Sequence, residues 1–222
     1  MLASIRQAER EFGRQEESVT VLAVSKGQPA AVAWQAAALG MTSLGENYLQ
    51  ECSAKNQLLR ESGAPPVQWH LLGHLQRNKA KRAAELFHMV ESLDSLELAR
   101  LLSRARQDQP RVPVLCEVEL TGLARRTGFP PGRLEAEFSQ LLDLDGIEVL
   151  GLMTVADPDT PGRAFSACRE LLDRLRQLSG RRLPVLSMGM SGDFLTAIAE
   201  GSTEVRIGSL LFGARPRAGA TQ

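Results

Sequence analysis

A chain of 222 residues fits one large α/β domain or two small ones, and it can bury a core without disulfide or metal staples. Lysine plus arginine equals aspartate plus glutamate, 26 each, so the basic excess typical of a nucleic-acid-binding protein is missing. No apolar run approaches the length of a membrane-crossing helix, and this argues against that class.

The N-terminal stretch MLASIRQAEREFGRQEE is charged and lacks the apolar centre of a signal peptide. Residues 2–14 read as a leading amphipathic helix, with Ile5, Ala8 and Phe12 on one face. Apart from Leu22, residues 19–25 are small or β-branched, as a strand buried on both faces requires. A helix follows over 29–39, with Pro29 in its first turn and Gly40 as its stop. The second strand is read at 41–46, followed by a helix to about Arg60. The third is at 67–73, and a basic helix starts near Gln76. The fourth is at 87–92, with Asp94 as cap of the next helix. Strand five spans 112–120, a helix 131–143, and strand six 147–153. The helix over 161–178 has the clearest period, with Phe165, Cys168, Leu171, Leu172, Leu175 and Leu178 on one face. Strand seven at 184–189, a helix at 193–200 and strand eight at 203–208 complete the series; 215–222 is read as a frayed tail.

Eight strands alternating with helices predict a single (β/α)8 TIM barrel with a leading N-terminal helix. A doubly wound open sheet is the alternative, weakened by the lack of a Gly-x-Gly-x-x-Gly turn after the first strand. Cys52, Cys116 and Cys168 form no Cys-x-x-Cys pair and read as reduced thiols. The expectation is a soluble, cytoplasmic, monomeric protein of one domain over 1–222, with no nucleic-acid or membrane partner.

Lys26 follows the first buried strand directly. In a barrel that places a primary amine at the carboxyl end of the strands, where active sites form. Partial desolvation lowers an amine's pKa from about 10.4 and lets it attack a carbonyl to form a Schiff base. Phosphate commonly binds after strands seven and eight. This chain offers Ser191 and the following helix start at the first place, and Gly208-Ser209 at the second. Ordinary helix caps are the plainer reading of either stretch alone. Arg206, inside strand eight, needs a partner if it faces inward. A ring nitrogen would serve; so would a barrel carboxylate.

Lysine, Schiff base and phosphate together point to pyridoxal 5′-phosphate. The motifs go further: LAVSKGQP around Lys26, LGENYLQE at 44–51, WHLLGHLQRNKAK at 69–81, GLMTV at 151–155, and LSMGMSGDFLTAIAEGSTEVRIGSLLFGAR at 186–215. On these the chain resembles the pyridoxal phosphate homeostasis protein family, small fold-type III barrels related to the N-terminal domain of alanine racemase. The resemblance covers residues 2 to about Arg215. It implies that Lys26 holds the cofactor as a Schiff base. Ser191, Gly208 and Ser209 would cradle the phosphate, and Arg206 would stand near the pyridine nitrogen. It places Asn47 close to the cofactor, and Met188 and His70 at the mouth of the pocket. The chain departs from the family in three places. Gly27-Gln28 stands where Thr-Lys is common, Glu119-Leu120-Thr121-Gly122-Leu123 where Asn-x-Ser-Gly-Glu is usual, and Ser209 where threonine is common.

The implied function is a non-catalytic carrier that maintains intracellular pyridoxal phosphate and passes it to apo-enzymes. Two alternatives are weighed: an amino-acid racemase, for which Tyr48 is the lone candidate second base, and a barrel enzyme using Lys26 on a phosphorylated metabolite. His74 reads as a loop histidine without a role, Tyr48 as a packing aromatic, and residues 76–82 as a solvated basic face.

Overall fold

The computed structural model describes residues 1–123 and 126–214, so the tail read as frayed lies outside the described residues. After α1 (Leu2–Glu11), strands and helices alternate: β1 (Thr20–Val24), α2 (Ala30–Ala38), β2 (Ser43–Glu46), α3 (Leu49–Glu61) and β3 (Gln68–Leu71). A single 3-10 turn at Arg77–Lys79 leads into α4 (Ala80–Leu86), which is where the sequence placed one basic helix. Then come β4 (Met89–Leu93), α5 (Leu96–Ala105), β5 (Val112–Glu117), α6 (Pro131–Leu142), β6 (Ile147–Met153) and α7 (Pro161–Ser179). The series ends with β7 (Val185–Ser187), α8 (Phe194–Ala199), β8 (Glu204–Ile207) and a short unforeseen helix, α9 (Ser209–Phe212).

All eight strands are parallel and follow chain order around a closed barrel. Closure is made by β1 against β8, with Thr20 opposite Glu204, Leu22 opposite Arg206 and Ala23 opposite Ile207. Between β5 and β6 the register slips after Val114, which pairs with Val149 while Leu115 pairs with Gly151, so Leu150 is the extra residue. A Cβ at Gly151 would lie 1.8 Å from the Val185 carbonyl oxygen, so only glycine lets β7 approach there.

Most of the apolar core lies between the outer strand faces and the helices, and includes Trp69, Phe87, Phe129 and Phe165. A second cluster joins Ile5 and Ala8 of α1 to Phe194 and Ile198 of α8. Glu9 fixes the entry into the barrel, for its buried carboxylate accepts the Val19 N–H at 2.7 Å. The lumen is filled differently. A Cβ at Gly45 would meet the side chains of Leu22 and Leu72, which are therefore internal. Polar side chains of β3, β4, β7 and β8 fill the space beside them.

Two helix-face expectations and one cap need correction. Phe12 is 43% exposed, because α1 ends at Glu11 before its stripe reaches that residue. Leu178 is 71% exposed, since the last turn of α7 overshoots the barrel. Ser95, not Asp94, caps α5: its side chain accepts the Leu98 N–H, while Asp94 turns to His74. Phe165→Ala is expected to cost about 3–5 kcal/mol in urea unfolding. Leu178→Ala, on the same helix, is expected to stay within about 0.5 kcal/mol; equal costs would show that the buried face of α7 is misassigned.

Candidate functional site

The turn after β1 carries Lys26 over the carboxyl end of the barrel. Its closing bond runs from the Gln28 N–H to the Ser25 carbonyl at 3.0 Å. Gly27 adopts φ +70°, a conformation glycine reaches at little cost. Ser25 is fully buried and donates its hydroxyl proton to Glu46 Oε1 at 2.7 Å. Lys26 itself is half-buried.

Beneath this turn lies a cavity of about 570 Å³. Lys26, Asn47, Ser191, Arg206, Gly208 and Ser209 all line it, so six of the seven residues selected from the sequence meet there. The seventh, Met188, does not. It is fully buried in the apolar core, because its place on the strand-seven extension turns its side chain outward; Met153 and Met190 line the cavity instead. Gln28, Leu72, Arg126 and Val155 also line it; Gln28, Leu72 and Val155 lie in the quoted motifs, but none of the four was selected as a site residue. A larger cleft, about 680 Å³, lies between α3 and α4 and holds none of these seven residues.

The loops after β7 and β8 face each other. The Leu210 N–H approaches Ser191 Oγ at 3.4 Å, joining them. The N–H groups of Ser191 and Gly192 make no hydrogen bond among the described residues, whereas Met190 N–H donates to Asp193 Oδ1 at 2.6 Å. Gly208 passes close to β1: a Cβ there would lie 3.1 Å from the Val24 carbonyl oxygen.

Arg206 forms the floor and is 4% exposed. Nη1 donates to the Ser187 carbonyl oxygen at 2.7 Å and to Ser187 Oγ at 2.8 Å, and Nη2 to the Thr154 carbonyl oxygen at 2.7 Å. Among the described residues no carboxylate pairs with it directly, so its partners are neutral oxygens rather than the barrel carboxylate considered above. Ser187 Oγ passes the contact on, donating to Glu91 Oε2 at 2.8 Å. A bond between strands four and seven can only cross the lumen.

His70 Nδ1 lies 2.8 Å from Glu91 Oε1, so His70 is a buried member of this network rather than a mouth residue. Burial opposes charge on both groups, yet each favours it in the other. His70 is raised by Glu91 and Glu204, and Glu91 is held below the usual carboxylate range by His70, Arg206 and Ser187. Glu204 completes the group, its Oε1 buried without a hydrogen-bond partner among the described residues. Burial and the Glu91 charge push its pKa up to about 8. Sequence reading missed Glu91, Ser187 and Glu204, since each stands in an apolar strand with nothing to mark its direction. His74 Nδ1 lies 2.8 Å from Asp94 Oδ2. Tyr48 stands at the N-cap position of α3 with no side-chain cap bond and is 65% exposed, which excludes the packing role expected of it.

The comparisons with known proteins agree with this geometry. Residues 2–216 match the family described as alanine racemase, N-terminal domain. A pyridoxal phosphate homeostasis protein of Pseudomonas aeruginosa is 40% identical, covering 96% of this chain and 92% of its own. One from Escherichia coli is 34% identical over 95% and 92%. This chain belongs to that family. PipY of Synechococcus elongatus, solved with PLP bound, superposes with a TM-score of 0.82 at 36% identity, covering 96% of this chain and all of PipY. Alanine racemase from Corynebacterium glutamicum gives a TM-score of 0.71 at 25% identity, and 63% of that longer chain is covered.

Glu204 ionises near 4.5 in an unfolded chain but holds its proton to about 8 when folded. Folding therefore takes up a proton in that window, and stability falls as pH rises through it. His70, raised above 6.5, adds to the same decline, because its stabilisation is lost as pH passes its folded value. Glu204→Gln is expected to flatten the fall, with a higher melting temperature than the parent above about pH 8 and little change near pH 5. Thermal scans across this range check it; parallel declines in the two proteins would refute it.

Proposed function

We propose that this protein binds pyridoxal 5′-phosphate in the cavity under Lys26 and maintains its intracellular level as a non-catalytic carrier. The observation that carries this reading is one cavity lined by a lysine amine, two serines on facing loops and a buried arginine. The names of the relatives and the PLP-bound PipY structure support it.

The residues fit the group. Asn47, on the lining, has a buried Oδ1 with no hydrogen-bond partner among the described residues, so a polar ligand would relieve it. The N–H groups of Ser191 and Gly192 are open to phosphate oxygens. The cofactor supplies an aldehyde that condenses with a primary amine, and a ring that can withdraw electrons.

In this reading each residue has a bounded task. Lys26 provides the amine and holds the ligand as a Schiff base. Ser191, Gly208 and Ser209 fix the phosphate, while Asn47 lies beside the ring. The Arg206 guanidinium opposes a proton on a neighbouring ring nitrogen. Electron withdrawal is then weak, which suits holding the cofactor more than transforming amino acids. Tyr48, the only tyrosine and the candidate second base of a racemase, is not among the lining residues, which supports the carrier reading. Delivery to apo-enzymes, a monomeric state and a cytoplasmic setting belong to the same reading. Three buried free thiols support the last. No helix among the described residues is long and apolar enough to cross a membrane.

Borohydride treatment of protein loaded with pyridoxal phosphate is expected to leave a pyridoxyl group on Lys26, located by peptide mass spectrometry. The same loaded protein should leave the optical rotation of L-alanine unchanged. A colourless protein without adduct defeats the cofactor assignment, and steady racemisation lost in Lys26→Ala defeats the carrier role. Ser191→Ala with Ser209→Ala is expected to weaken cofactor affinity about a hundredfold by removing two hydrogen bonds to a charged group, about 1.5 kcal/mol each. Melting temperature should barely move, and unaltered affinity would place the phosphate elsewhere.

A further inference from the structure

A buried ion cluster grips the Lys26 turn on both sides, and the cofactor reading makes no use of it. Lys55 rises from α3 and is 4% exposed. Its Nζ donates to the Ser25 carbonyl oxygen at 2.6 Å, to Glu46 Oε1 at 2.6 Å and to Glu51 Oε1 at 2.8 Å. Three acceptors meet the three protons of one ammonium. Glu46 Oε1 also takes the Ser25 hydroxyl at 2.7 Å, and Glu51 Oε1 takes the Gly27 N–H at 2.6 Å. Ser25 is thus held by its carbonyl and its hydroxyl, and Gly27 by its amide. Lys26 stands between them.

Stability gives this cluster little reason to exist. Removing two or three charges from water costs several kcal/mol per ion, and apolar side chains of similar volume often replace such groups without loss. What the cluster does provide is direction. It locks the backbone on either side of a long, flexible side chain whose amine must meet a carbonyl carbon along a narrow approach. We infer that Lys55 is a positioning residue: with Glu46 and Glu51 it fixes the Ser25–Gly27 backbone so that the Lys26 amine points at an aldehyde held in the cavity. The inference rests on the cofactor reading above and adds to it the residues that aim its lysine.

Two ligands separate aiming from folding. Pyridoxal 5′-phosphate can condense with Lys26; pyridoxine 5′-phosphate has an alcohol in place of the aldehyde and cannot. Lys55→Met is expected to bind the alcohol within about twofold of the parent, while retention of the aldehyde and the borohydride-trapped yield on Lys26 fall about tenfold. A merely structural residue would weaken both ligands alike, so equal losses, or no loss of either, overturn the inference. If Lys55→Met does not fold, Glu51→Ala serves, since that side chain is 25% exposed and its loss removes only the Gly27 arm and one partner of Lys55. The same split is expected there at smaller size, and its absence is equally decisive. A parent protein that traps no adduct on Lys26 overturns the cofactor reading and this inference with it. Trapping in the parent with no split in the variants overturns the inference alone.

Discussion

The pairing of the first strand with the last is the constraint on which everything else stands. Thr20 to Ala23 run beside Glu204 to Ile207, so the turn after β1 and the loop after β8 become neighbours although they lie at opposite ends of the chain. Only that closure sets Lys26 beside Gly208 and Ser209 around one cavity. An open sheet of the same strands would leave the amine and the anion site at separate edges. The glycines serve closure as well: Gly208 passes the Val24 carbonyl, and Gly151 admits β7 against β6.

The closed lumen then poses an electrostatic problem. It contains the guanidinium of Arg206, the imidazole of His70 and the carboxyl groups of Glu91 and Glu204, all buried. Branched apolar side chains are the usual filling of such barrels and avoid the desolvation cost. Here the charges are spread along a chain of hydrogen bonds from His70 through Glu91 and Ser187 to Arg206. One carboxyl, Glu204, stays protonated at neutral pH and so limits the negative charge the lumen must hold. The result is a cation fixed at the cavity floor without a direct carboxylate partner among the described residues. That guanidinium lines the cavity above it.

Much of the fold was legible because its signals are local. The run at 147–153 gives β6 with both bounds as read, and the period of α7 marks Phe165 and its neighbours as buried. Errors fell where geometry, and not pattern, decides. Ser95 and Asp94 are both sound caps by type, and only the path of the chain leaves Ser95 under the Leu98 amide. Leu178 keeps helical spacing but lies beyond the barrel's edge. Met188 follows a strand within a motif rich in site residues, yet a single step of alternation turns it into the core. The same alternation conceals Glu91 and Glu204, because a carboxylate in an apolar strand reads alike whether it faces lumen or helix.

By itself the sequence determined the number and order of the strands, the amine after the first of them, the two serine-bearing loops near the end and the family. Those follow from hydrophobic period, turn chemistry and motif, which are properties of contiguous residues. Only the tertiary structure decided which side chains share a space: that six selected residues line one cavity, that His70 and Arg206 belong to a single network, and that Lys55 reaches the Lys26 turn. Strand direction and barrel closure set those meetings, and neither is written in any single stretch of chain.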